Sequence, residues 1–240
     1  MTTERQQKLL EAEDSRFHVI GPVGTGLGMM ATTERIGRKR ITFGLPSAPA
    51  LFLNIARESH LKRVAIDLES VFIAHPPPQG TWPQNHQPLF NYFELFSSEV
   101  IFSFTALEAF ANEVIPQEFT YQFKSNKKAE SVALARAEIE RRVSLDEKLT
   151  RVIPEAHKCP SPNGTKTWQD YKALKSVRDR LVHLKSIDRK ASGPEDQTLW
   201  GLMLDHQKSA FPDFAARVIG HYKALVKDRR WFNLYVPIVA

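Results

Sequence analysis

The 240-residue chain is predicted to be mainly α-helical, with a helical bundle over residues 86–240 that follows an N-terminal extension over residues 1–85. Two observations predict this class. Apolar side chains recur at three- and four-residue steps over long stretches of the second part, which is the spacing of helices with one buried face. Apolar residues also make up 42% of the chain, which is enough to bury a core without disulfides.

The N-terminal extension is expected to hold short strands or irregular structure. A polar helix or frayed tail is predicted over residues 1–14, and short strands are predicted at Phe17–Ile20 and Arg40–Phe43. Between the two strands lies the glycine-rich stretch Gly21–Gly28. No Gly-Lys-Ser/Thr follows it, so we interpret it as a turn-rich connector and not as a phosphate-binding loop.

Helical spacing returns over residues 50–71, and the prolines of residues 75–83 then predict a stiff connector, with a docking segment as the alternative. The longest predicted helix is bounded by Pro88 and Pro116. Its apolar residues repeat at steps of three and four, so this helix is expected to form the centre of the bundle. Glu108 lies in its most apolar part, where a half-buried carboxylate needs a partner, and Arg178 is the candidate.

Shorter helices are predicted along the rest of the chain. Ser144 and Glu147 form a capping box, which predicts the start of a short helix that Pro154 ends. The apolar residues after position 230 are expected to pack back on the bundle. The other predicted helices cover residues 125–143, 168–187, 196–206 and 212–230.

The helix predicted over residues 168–187 carries an unusual polar face. At about 100° per residue, its apolar residues fall within a sector roughly 80° wide, and His183 lies roughly 140° from the centre of that sector. Asp179 is one turn earlier on the same polar side, and Arg178 lies at the border of the two faces. A titratable imidazole, a carboxylate and guanidinium groups are suited to binding and acting on a phosphate.

The spacing of Arg178 and His183, with Asp179 directly after the arginine, resembles the Arg-x4-His signature of HEPN domains, a superfamily of small helical bundles. The stretch Phe104–Glu113 is similar to the long central helix that carries an acidic residue in many of these domains. Including the Ser144 segment and the lead-in from Trp168, the likeness covers roughly residues 88–190. It implies a helical bundle, and in many members a metal-independent endoribonuclease whose two protomers place their motifs in one cleft.

Composition and short motifs indicate which partners, cellular location and cofactors to expect. The net charge of +6 favours a polyanionic partner such as RNA. The basic clusters are consistent either with a basic groove or with scattered solvated faces, and they lie at Arg35–Arg40, Lys124–Lys128, Arg136–Arg142, Lys172–Lys190 and Lys223–Arg230. The single cysteine excludes a disulfide framework, and the polar N-terminus lacks the apolar stretch of a signal peptide, so a cytoplasmic protein without a membrane span is expected. No spacing typical of zinc ligands, nucleotide motifs or nucleophile elbows occurs, so neither a metal nor a cofactor is expected.

The sequence therefore predicts an endoribonuclease in which His183 is the general acid or base and Arg178 binds the developing phosphoryl charge. Asp179 orients His183, and Glu108 supports Arg178. Arg180 and Lys185 are expected to contact RNA phosphates. The resemblance also implies a homodimer and a role as a toxin or anti-phage effector, with an antitoxin or other protein as partner. Two alternatives stay open: a non-catalytic module that binds nucleotides or proteins or dimerises, and a helix face that is merely solvated.

Overall fold

A computed structural model describes residues 14, 16–20, 28–72, 86–124 and 131–238, and these residues are mainly helical. Nearly all of the polar helix or tail predicted over residues 1–14, most of the glycine-rich connector and the proline-rich segment lie outside the described residues. The chain forms two compact units, each built from three separate stretches. The chain does not pass from one unit to the other at residue 85, where the sequence predicted a division. Unit 1 comprises the described residues of 1–51, 106–169 and 217–235. Unit 2 comprises those of 52–105, 170–216 and 236–238.

The strands pair into three antiparallel two-stranded ribbons, all of them in unit 1. The N-terminal strands predicted from sequence are found in part, but the strand preceding Lys39 and the ribbon within the predicted bundle were not predicted. Instead of a helix over 125–143, the described residues there form a strand and then a helix. The ribbons are β1 (Val19–Ile20) with β2 (Gly28–Met29), β3 (Ala31–Ile36) with β4 (Lys39–Gly44), and β5 (Thr120–Lys124) with β6 (Ser131–Ala135).

Helices make up most of the rest. Helix α1 (Ala48–Val64) begins where the Ser47 hydroxyl accepts a hydrogen bond from the Ala50 N–H, and Asp67 caps the short α2 (Leu68–Phe72) in the same way. The central helix α3 (His86–Val114) has 29 residues and confirms the prediction between Pro88 and Pro116. The later helices are α4 (Arg136–Arg142), α5 (Leu145–Glu147), α6 (Ile153–His157), α7 (Lys166–Val182), α8 (Leu199–Asp205), α9 (Phe211–His221), α10 (Lys223–Val226) and α11 (Arg230–Asn233).

The Ser144 segment differs from its prediction after the first turn. The Ser144 hydroxyl accepts from the Glu147 N–H at 3.3 Å, which confirms one half of the predicted capping box, whereas the Glu147 carboxylate accepts from the Tyr121 hydroxyl at 2.7 Å. The chain then continues through a π-helix over Lys148–Val152 into α6, and Pro154 stands in the first turn of α6. Pro154 has no N–H for the acceptor five residues back, the Leu149 carbonyl, but that carbonyl accepts from the Tyr222 hydroxyl instead, and the segment continues through Pro154.

In unit 1, the second half of α3 and the β5–β6 ribbon enclose an apolar core. The Tyr222 ring packs on Phe110, with centroids 5.9 Å apart, and its hydroxyl donates to the Leu149 carbonyl. This bond ties the residue between α9 and α10 to the π-helix within the unit. The buried cluster beneath the ribbon consists of Ile115, Tyr121, Leu134, Ile139, Val143 and Val152.

In unit 2, the first half of α3 packs between α1, α7 and α8. Buried aromatic rings such as Phe96 form its centre, and most of the apolar repeat predicted for α3 is buried, although Phe90 is exposed. A fully buried ion pair joins α1 to α3: Arg63 Nε donates to Glu99 Oε2 at 2.7 Å, and His60 Nδ1 lies 3.0 Å from Glu99 Oε1. No helix in the described part of the chain combines the length and apolar character needed to cross a bilayer.

Candidate functional site

Helix α7 carries the predicted signature and ends sooner than the sequence predicted. The Thr165 hydroxyl accepts from the Trp168 N–H at 3.2 Å and opens the helix, and Leu174 and Val177 are buried as expected. The last helical residue is Val182. His183 therefore lies just beyond the helix end, where its N–H still donates to the Asp179 carbonyl at 2.9 Å.

A buried carboxylate holds the turn that follows. Asp188 lies in a short 3-10 turn, Ser186–Arg189, and its side chain is 1% exposed. Its carboxylate accepts hydrogen bonds from both terminal nitrogens of Arg180, and from the backbone N–H groups of Lys185 and Leu199 at 2.7 Å each. The bonds from Arg180, followed by the backbone bonds, hold the pKa of Asp188 well below its usual range. Chain reversal after Val182 is thus secured by one ion pair.

The Arg180 side chain is occupied by this ion pair. The sequence predicted an RNA-phosphate contact, but the guanidinium is only 13% exposed and is bound by Asp188 in a bidentate manner. Phosphate would have to compete with that carboxylate. Lys185, by contrast, is exposed, and its backbone alone takes part in the Asp188 cluster. Of the two predicted phosphate contacts, Lys185 is the one whose charge faces solvent.

A cleft of about 920 Å³ opens beside the helix end within unit 2. His183, Asp179 and Lys185 line one part of it, and Asp196 and Asp205 line another. The His183 ring is exposed and makes no side-chain hydrogen bond among the described residues. An imidazole with both ring nitrogens open to the cleft can accept or donate a proton to a bound molecule.

Arg178 is held differently from its neighbours. Its guanidinium lies over the Phe104 ring, 3.7 Å from the centroid, and Nη1 contacts Asp179 Oδ1 at 2.8 Å. The side chain is 24% exposed, and its buried Nε has no hydrogen-bond partner in the part of the chain described. Phe104 in turn stacks on Tyr171 at 6.2 Å. An arginine on an aromatic face is a fixed planar cation, and this one is absent from the residues that line the cleft.

Asp179 links the two parts of the signature. Its carboxylate pairs with Arg178, it lines the cleft beside His183, and its backbone carbonyl receives the His183 N–H. No side-chain bond between Asp179 and His183 is present among these contacts, and the carboxylate pairs with Arg178 instead, so the orienting role assigned to it from the sequence stays a prediction.

Glu108 has surroundings that the sequence did not predict. It is exposed, not half-buried, and belongs to unit 1, whereas Arg178 belongs to unit 2. Its electrostatic neighbour within unit 1 is Lys148, a buried lysine whose amine donates to Asn112 Oδ1 and to the Glu140 carbonyl, each at 2.8 Å. Burial lowers the pKa of Lys148, and the charges of Glu108 and Glu140 oppose that shift.

Sequence reasoning missed two residues that shape this site. Asp188 lies in a polar stretch that reads as ordinary surface, and only its four hydrogen bonds reveal its importance. Phe104 was predicted as core packing, and it is buried, but it also forms the platform for Arg178. The five-residue spacing from Arg178 to His183 carries no information about either contact. Among the described residues, no three His, Cys, Asp or Glu side chains converge as metal ligands.

Comparison of the chain with protein-family models, with curated protein sequences and with solved structures finds no match. The likeness to HEPN domains therefore rests on Arg178, Asp179, His183 and the order of the surrounding elements.

Proposed function

We propose that the protein is a metal-independent endoribonuclease of the HEPN type that uses His183 as its general acid or base. The observation that carries the proposal is the exposed His183 ring at the mouth of a cleft, directly after a helix that also presents Arg178 and Asp179. A free imidazole, a fixed guanidinium and an exposed lysine within one segment are the groups that RNA cleavage requires.

The chemistry needs no cofactor. The ribose 2′-oxygen loses its proton to a base and attacks the adjacent phosphorus, and the bond from phosphorus to the 5′-oxygen then breaks as that oxygen takes up a proton. An imidazole can take up the proton in the first transfer and give one up in the second, and His183 supplies that group. Arg178 offers a planar fork of donors to the phosphoryl oxygens as their charge grows. Lys185 adds a phosphate contact, and Asp179 holds Arg178 in place.

A homodimer completes the site in this proposal. Arg178 and His183 are roughly 140° apart around one helix, and Arg178 does not line the cleft that His183 opens into. Two copies related by a twofold axis would bring the arginine of one to the histidine of the other. The toxin or anti-phage role, with an antitoxin as partner, follows from the resemblance alone and belongs to the same proposal.

A second function is favoured by the charges of the cleft. Asp179, Asp196 and Asp205 all line it, and Arg180 is already neutralised by Asp188, so the attraction for a polyphosphate chain is reduced. Trp200, whose indole N–H donates to the Asp188 carbonyl, is 43% exposed beside Phe93. An exposed tryptophan suits a protein contact. These features support a non-catalytic module that binds a nucleotide or protein or dimerises.

The two functions are separated by incubating the purified protein with RNA in the presence of a chelator. The nuclease proposal expects cleavage by the wild type and loss of cleavage by about 10²-fold or more in His183→Ala, with no change in thermal midpoint. His86→Ala is the matched control, because His86 is also an exposed histidine of unit 2, and its ring packs on Phe90 at a centroid distance of 5.0 Å. RNA left intact by the wild type, or cut equally by His183→Ala, overturns the nuclease proposal.

A further inference from the structure

The β3–β4 ribbon is the most exposed regular element of the described chain. Its strands pair from Ala31 opposite Gly44 to Ile36 opposite Lys39, and almost every residue between them faces solvent. The two-residue connection has Gly37 at φ +59°, a conformation that glycine adopts without strain, and nothing lies within 4 Å of a side chain built there. Within the described part of the chain, the tip of the ribbon is therefore exposed.

Towards the tip, one face of the ribbon is polar and cationic. The Thr33 and Thr42 hydroxyls hydrogen-bond across the strands at 2.9 Å, which places both on the same face. Two residues further along, Arg35 and Arg40 are direct cross-strand partners and share that face. Neither arginine forms an ion pair within the described residues.

This arrangement is unfavourable without an anion. Like charges directly opposite each other destabilise an antiparallel pair, and a two-stranded ribbon by itself is at best marginally stable in water. Arg38 and Lys39 add two further cations at the turn. Glu34 is the sole acid in the ribbon, but its position alternates onto the opposite face, where it accepts from the Thr32 hydroxyl at 3.1 Å. An anion between Arg35 and Arg40 would relieve their repulsion.

We propose that the β3–β4 ribbon is an RNA-binding arm, in which Arg35 and Arg40 straddle one backbone phosphate. Arg38, in the turn, and Lys39, which pairs with Ile36 and so lies on the opposite face next to the turn, contact neighbouring phosphates where the RNA passes around the tip. Guanidinium forks match phosphate oxygens in two-point contacts, and three of the four cations are arginines. The choice of RNA as the polyanion rests on the proposed function, since the ribbon would then hold the substrate of the same chain. The contacts read no bases, so binding is independent of sequence.

The expected magnitude follows from counterion release. Each phosphate contact with single-stranded RNA contributes about 0.7 to the slope of log affinity against log salt, so four contacts contribute about 2.8. Raising salt from about 50 mM to about 200 mM should therefore weaken wild-type binding roughly 50-fold more than binding by a ribbon without these charges.

Binding is measured by fluorescence anisotropy with a labelled single-stranded RNA, in the His183→Ala background so that the probe stays intact. The test variant replaces Arg35, Arg38, Lys39 and Arg40 with glutamine, and we expect the weaker affinity and shallower salt slope just derived. If the fourfold variant does not fold, the double variant Arg38→Gln/Lys39→Gln, at and beside the turn, takes its place. It removes two of the four charges, so we expect it to remove half of the change in salt slope. The control replaces four exposed lysines outside the ribbon with glutamine: Lys62, Lys172, Lys208 and Lys223.

The outcomes keep this proposal apart from the nuclease proposal. If the ribbon variant loses affinity while the control keeps it, the arm is supported, even when the wild type fails to cut RNA. If both variants bind with the wild-type slope, the arm is refuted, even when the wild type cuts RNA. Duplex DNA bound more tightly than RNA through the same four residues would also overturn the assignment to RNA.

Discussion

Replacing Arg180 with alanine decides whether this arginine serves the fold or the substrate. The guanidinium is 13% exposed and binds Asp188, whose side chain is 1% exposed. Removing one member of a buried ion pair typically costs about 3–5 kcal/mol, because the other charge stays buried. Two backbone N–H groups still reach Asp188, so we expect the lower end, about 3 kcal/mol. In a chain of this size that loss lowers the thermal midpoint by roughly 6–12 °C.

The pH dependence gives the loss a signature. Because the folded-state pKa of Asp188 is depressed, its stabilisation is present above the pKa of about 3.9 in the unfolded chain and is lost as pH falls below that value. Arg180→Ala removes the main cause of the depression. The difference in midpoint between wild type and variant should therefore shrink between pH 7 and pH 3, measured by circular dichroism.

Arg189→Ala is the matched control, because Arg189 follows Asp188 in the same turn and is exposed; its midpoint should stay within about 1 °C of the wild type, which corresponds to less than 0.5 kcal/mol. The reasoning is refuted if Arg180→Ala is as stable as the wild type. It is refuted most directly if that variant keeps its stability but shows a shallower salt dependence of RNA binding, as a phosphate contact would.

Two further predictions concern buried polar groups. Glu99→Gln should lower the free energy of unfolding in urea by about 3–5 kcal/mol, because Arg63 would keep a buried charge without its partner. The control Glu94→Gln, on the exposed face of α3, should change that free energy by less than about 0.5 kcal/mol. Equal urea midpoints for the two variants would contradict this reasoning. Burial and the Glu147 carboxylate raise the pKa of Tyr121 to about 12, so the difference between the ultraviolet titrations of wild type and Tyr121→Phe should be a step near pH 12, and stability from this tyrosine should decline as pH rises above about 10. A difference step near pH 10 would show that the phenol is in ordinary solvent.

Where local signals are strong, the structure follows the sequence. The apolar repeat of α3 extends over eight turns and is compatible only with a helix that buries one face, so the helix could be predicted almost to its ends. The cap at Ser144 depends on a side chain and an N–H three residues apart, which the order of residues alone specifies. His183 is exposed as predicted, but for another reason: α7 ends at Val182, and Val182 and Leu184 are exposed beside it.

Where the deciding partner is distant in the chain, the sequence was uninformative. The end of α7 at Val182 and the burial of Arg180 both follow from Asp188, which lies eight residues from Arg180 and is completed by Leu199, eleven residues further on. Glu108 is next to apolar residues in the sequence, yet it is exposed because its side of α3 remains open.

By itself, the sequence determined the mainly helical class, the central helix and the basic stretch from Arg35 to Arg40. These features depend on composition and on periodicities of two to four residues, which are local properties. Only the tertiary structure decided which charges are available. It bound Arg180 to Asp188, laid Arg178 on Phe104 and left the ribbon cations without acidic partners among the described residues. A charge is neutralised or left free by what surrounds it in three dimensions, and sequence spacing does not encode those neighbours.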